Sequence, residues 1–76
     1  VKSPVTVCYE IFREIVREAR QFDAQKLLVL ASQEVVDLVL DEESASVAEL
    51  EEFIGKPIRF RVEAMYTQEQ FDVVLM

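Results

Sequence analysis

The sequence predicts a small α+β domain, with elements in the order α-β-α-α-β-β around a three-stranded mixed sheet. Three observations carry this. Residues 5–22 hold an apolar stripe at helical spacing. Residues 32–40 and 46–54 each open on Ser and again space their apolar side chains for short helices. Residues 26–31 and 71–76 are apolar runs of strand length, and residues 58–64 alternate strictly between apolar and charged.

The first helix starts at Ser3, which can accept from the orphan backbone donors, and Pro4, which suits the first helical position. Val5, Cys8, Ile11, Phe12, Ile15, Val16, Ala19 and Phe22 fall within an arc of roughly 140°. Glu10, Arg13, Glu14, Arg17, Glu18 and Arg20 lie outside it. Cys8 stands near the centre of the arc and reads as a small buried hydrophobe. Val7 and Tyr9 sit just off it. They either widen the apolar surface for a partner or are partly exposed, and the second reading is favoured. Residues 22–25 turn the chain into the first strand, residues 26–31.

Ser32 is an N-cap for a second helix over residues 33–40. Val35, Val36, Leu38, Val39 and Leu40 span about 200° of it, too wide for a one-sided surface helix. It is therefore buried on two sides or meets a partner at a flank that includes Val36. Three valines leave a strand as the competing reading. Ser46 to Glu49 has the form of a capping box, and Gly55 and Pro57 stop the chain, so a third helix is expected over residues 47–54. Val47, Leu50, Phe53 and Ile54 form its apolar stripe.

Residues 58–64 place Ile58, Phe60, Val62 and Ala64 on one face and Arg59, Arg61 and Glu63 on the other. Pro57 suits an edge strand. The last strand, residues 71–76, is apolar on both faces, with Phe71, Val73 and Leu75 opposite Val74 and Met76. It is expected at the centre of the sheet, antiparallel to both neighbours in a split βαβ arrangement, with the helices on one face. The second face would then carry Val74 and Met76 among Arg59, Arg61 and Asp72, open to a partner.

At 76 residues the chain is a single domain with a thin stability margin. The formal net charge of −7 argues against a main nucleic-acid grip, because phosphate neutralisation supplies most of that affinity. One cysteine excludes an internal disulfide and a multi-cysteine metal site, and there is no histidine to act as base or ligand. Asp41, Glu42, Glu43, Glu49, Glu51 and Glu52 invite a Mg or Ca reading. Without the glycine-containing calcium-loop pattern they read as a solvated face. Lys56, Arg59 and Arg61 make the only local basic strip, and Tyr66 adds a stacking surface. Ordinary ion pairing on a solvated strand is the favoured reading, and a weak RNA contact is the alternative. No apolar run approaches the roughly 20 residues of a membrane span and no signal-peptide pattern opens the chain, so a cytoplasmic protein with no membrane contact is expected.

One resemblance sharpens this. It is carried by Thr6-Val7-Cys8-Tyr9-Glu10-Ile11, Arg13-Glu14-Ile15-Val16-Arg17, Leu30-Ala31-Ser32, Glu42-Glu43-Ser44-x-Ser46, Phe53-x-Gly55-Lys56 and Tyr66-x-Gln68-Glu69-Gln70-Phe71-Asp72-Val73-Val74. With these the chain resembles the C-terminal end of the ribonuclease E/G family of bacterial endoribonucleases. Closing at Met76 resembles the shorter members, whereas longer members continue into a tail. The resemblance implies a parent hydrolase that processes ribosomal RNA and degrades messenger RNA. It implies that the catalytic aspartates holding Mg, the RNA-binding domain and the Cys-Pro-x-Cys zinc link all lie upstream, outside these 76 residues. No catalytic or cofactor-binding residue carries over. What it implies for the chain itself is a non-catalytic domain that packs against the rest of the parent ribonuclease and helps it form a homo-oligomer, with RNA held by the parent. Val7, Tyr9, Val36, Val74 and Met76 are the interface candidates.

Overall fold

The computed structural model describes residues 2–76. Its elements are α1 (Pro4–Gln21), β1 (Leu27–Ala31), α2 (Gln33–Glu42), α3 (Ser44–Ile54), β2 (Ile58–Val62) and β3 (Phe71–Leu75). The α+β class and the element order are as the sequence predicts. The strand order is not. The sheet runs β2-β1-β3, so β1 is central and β3 is an edge. β1 pairs parallel with β2 and antiparallel with β3. The β1 and β2 strands are thus joined by a helical crossover between direct neighbours, and the split βαβ arrangement is ruled out. The physical reason lies in Asp72. Its carboxylate sits mid-strand on one face of β3, so that face stays in water, whereas β1 reads Leu-Leu-Val-Leu-Ala with no polar side chain on either face.

Local chemistry sets most helix ends. The Ser3 hydroxyl accepts from the Thr6 N–H at 3.3 Å, and Pro4 opens α1. The Ser32 hydroxyl, itself buried, accepts from the Val35 N–H at 3.4 Å and starts α2 where expected. Gly55 ends α3 in the left-handed region at φ +73°, which a side chain would strain. The third helix begins earlier than its capping box suggests, at Ser44 with Glu43 as the cap residue. Ser46 lies inside it and donates its hydroxyl to the Glu43 carboxylate at 3.0 Å. Backbone pairing also runs past the strand ends. Lys26 and Met76 exchange two hydrogen bonds, at 2.9 and 3.3 Å, so the antiparallel pairing extends to residues 26 and 76.

The core lies between the helices and one sheet face. Val7, Cys8, Ile11 and Ile15 of α1 and Val35, Val36 and Val39 of α2 enclose Leu27, Val29, Ala31 and Ile58. α1 packs on α2 and β3, and α2 packs on β2. α3 rests on α1 and α2 rather than on the sheet, and it contributes only half-buried Val47, Leu50 and Ile54. α2 packs on α1, α3 and β2 and buries Val35, Val36 and Val39, while Leu40 at one flank of the wide arc stays 56% exposed, and the competing strand reading is excluded.

Candidate functional site

Among the described residues, no helix covers the second face of the sheet. Strand alternation puts Leu28 and Leu30 of β1 on it, opposite the core-facing Leu27, Val29 and Ala31. The register then lays out two rows. Leu28 stands between Arg59 of β2 and Val74 of β3, and Leu30 stands between Arg61 and Asp72. Both leucines are half-buried, while Arg59, Arg61, Asp72 and Val74 are exposed. A shallow cleft of about 320 Å³ opens here, lined by Lys26, Leu28, Arg59, Phe60, Arg61 and Met76. The face is therefore an apolar strip along β1 with cations on one flank and a carboxylate on the other.

The basic strip is partly engaged. The Lys56 ammonium lies 3.2 Å from the Asp23 carboxylate, away from the strand face. Arg59 lies 3.8 Å from Glu51. Arg61 has no carboxylate within ion-pair distance among the described residues. Tyr66 donates its hydroxyl to the Asp72 carboxylate, and that bond holds the Tyr66 phenol above its usual range. Tyr66 is thus fastened to the edge of the open face by its polar end.

The interface candidates separate. Val74 is 37% and Met76 55% exposed, and both belong to the open face. Tyr9 is 56% exposed on α1, edge-on to Phe12 with ring centroids 6.4 Å apart. Val7 and Val36 are corrections. They are 0% and 3% exposed and pack inside the chain's own core, so neither offers surface to a partner. Val7 belongs to the buried stripe of α1 together with Cys8, Ile11 and Ile15. Sequence reasoning missed Leu28 and Leu30, because an all-apolar strand shows no difference between its two faces. The burial alternation of β1 reveals it.

No metal site forms among the described residues, where no three His, Cys, Asp or Glu side chains converge on a common point. Cys8 is enclosed by the core, and burial, reinforced by the Glu43 carboxylate, pushes its thiol up to about 11. That setting does not suit a zinc thiolate. No helix among the described residues is long and apolar enough to cross a membrane.

Comparison with known proteins now places the chain. All 76 residues align with ribonuclease G of Escherichia coli strain K12 at 51% identity. The match to ribonuclease G of Salmonella typhimurium strain SL1344 is also 51%, and that to ribonuclease G of Haemophilus influenzae is 47% over 77 aligned positions. Over its whole length the chain matches one segment of ribonuclease G. The chain spans only 16% of the length of these ribonuclease G relatives. No family model matches it.

Proposed function

We propose that these 76 residues form a non-catalytic association domain of a ribonuclease G-type endoribonuclease. The rest of that protein would cleave RNA, with the metal chemistry in segments outside this chain. The observation that supports this reading most is the open sheet face. A domain with a complete core of its own still presents an apolar strip, flanked by charge, on a sheet face that no described helix covers. Antiparallel edges and one-sided sheets tolerate a solvated face, but such faces are ordinarily polar along their centre. Here the centre is Leu28 and Leu30.

An RNA contact through Lys56, Arg59, Arg61 and Tyr66 has less support. Lys56 and Arg59 already face carboxylates, and Tyr66 is bound to Asp72. The test has two parts. The purified chain, freed of contaminating nuclease, is expected to leave single-stranded RNA intact. Light scattering across a dilution series is expected to show a mass that rises above the monomer with concentration. Cleavage that co-purifies with the chain would refute the non-catalytic reading, and a strict monomer at every concentration would refute association through this chain.

A further inference from the structure

The geometry points to the groove between α1 and α3 as a docking site for a short cationic amphipathic helix of a separate protein. This goes beyond the association reading, because it concerns a different face of the domain and a different kind of partner.

The groove itself is the site. It holds about 380 Å³ and is lined by Phe12 of α1 and by Ser46, Glu49, Leu50 and Phe53 of α3. Phe53 is 67% exposed at its edge. Phe12 and Leu50 are half-buried, so the floor is apolar and within reach from outside. Tyr9, itself exposed, stands edge-on to Phe12 and lengthens the aromatic wall. The Ser46 hydroxyl is already engaged with the Glu43 carboxylate, so it demands no hydrogen bond from an occupant. α3 packs on α1, and the two helices form the two walls. An amphipathic helix fills a groove of this kind, with apolar anchors at i, i+4 and i+7 along one face.

Charge selects the occupant. Residues 27–55, which contain α2 and α3, carry eight carboxylates and no lysine or arginine. The rest of the chain holds seven carboxylates and all eight basic side chains, so the net charge of −7 arises in the α2–α3 layer. Glu49 in the groove and Glu52 beside Phe53 are exposed and have no cation within ion-pair distance among the described residues. The arginines of α1, Arg13, Arg17 and Arg20, gather around a separate cleft with Val16 and do not line the groove. A second copy placed groove to groove brings carboxylates against carboxylates, and RNA brings phosphates; both are repelled. A helix with lysine or arginine beside its apolar anchors is attracted as it approaches and pairs at the rim. The form of the groove favours a separate protein over lasting packing against the rest of the parent. Permanent interfaces are broad and apolar, whereas this is a narrow apolar trough beside charge, as transient partners use.

The experiment is fluorescence anisotropy of a labelled synthetic peptide of about 14 residues, with leucines at i, i+4 and i+7 and lysines flanking them, titrated with the 76-residue chain. Binding is expected with a dissociation constant on the order of 10–100 µM at low salt, weakening as salt is added. A peptide of the same composition in scrambled order, and one with glutamate in place of every lysine, are each expected to bind about tenfold more weakly or worse. Phe53→Ser and Glu49→Lys are each expected to weaken the first peptide about fivefold to tenfold, with circular dichroism unchanged. Leu40→Ser, at an exposed apolar side chain of the same acidic layer but outside the groove, is expected to leave its affinity unchanged. No binding of the first peptide, equal binding of the scrambled one, or an unaltered affinity in Phe53→Ser overturns the proposal. So does loss of self-association in Phe53→Ser, which would make a second copy the occupant. So does failure of the full-length parent to bind a peptide that the 76-residue chain binds, which would make the rest of the parent the occupant. Whether the chain associates at all is read separately, by light scattering, so the association reading stands or falls on its own.

Discussion

The Cys8 thiol shows how one buried group couples packing to pH. It lies in the core with no exposed surface, and burial, with Glu43 adding to it, raises its pKa from an ordinary 9.0 to about 11. Above pH 9 the unfolded chain releases this proton while the folded chain keeps it. The unfolded state then binds fewer protons, so stability falls as pH rises from 9 towards 11. By pH 10 the loss is on the order of 1 kcal/mol. Urea unfolding at pH 7.5 and pH 10 tests this by comparison with Cys8→Ala, which removes the thiol. The original chain is expected to lose that much more stability than the variant over the interval. At this scale the sequence was informative: an isolated cysteine at the centre of an apolar helical arc already reads as a core residue. Val7 and Val36 were not legible in the same way. Their burial depends on which neighbours sit beside the arc, and helical spacing does not say that.

At the scale of elements, α3 is the piece least committed to the core. It has no fully buried residue and no side-chain cap at its start. One clip ties it to the sheet. The Glu51 carboxylate accepts from the Ile58 N–H at 2.7 Å, at the point where the chain enters β2, and faces Arg59 at 3.8 Å. Glu51→Ala leaves that half-buried amide without an acceptor and is expected to cost about 1–2 kcal/mol. Glu51→Gln keeps an acceptor oxygen and is expected to cost less. Hydrogen exchange at the Ile58 amide reads the same event directly, with protection lost in the alanine variant and retained in the glutamine variant. Helix extents were legible from Ser32, Gly55 and the apolar spacing. The start of α3 was not, because Ser46 satisfies a capping pattern in sequence while the chain in space begins the helix at Ser44.

At the scale of the whole molecule, strand order governs where a substitution is felt. Val29 sits at the middle of the central strand, beside Phe60 on one side and Val73 on the other, with no exposed surface. Val74 sits on an edge strand, 37% exposed. Val29→Ala is expected to cost about 2 kcal/mol through its cavity, and Val74→Ala less than about 0.5 kcal/mol, both measured by urea unfolding of dilute chain. A sheet with β3 at its centre would raise the cost at Val74 well above that. The same strand order puts Arg61 and Asp72 on opposite flanks of Leu30.

The sequence by itself determined the class, the six elements and most of their ends, because these follow from side-chain period, caps and breakers within a few residues of chain. It also carried the match to ribonuclease G along its whole length. Strand order and the identity of the open face were decided only by tertiary structure. Hydrogen bonding between strands is non-local, so the apolar run of residues 71–76 suggested a central strand that the fold places at an edge. Only the folded sheet shows which strand is paired on both edges, and which face of β1 the helices leave uncovered.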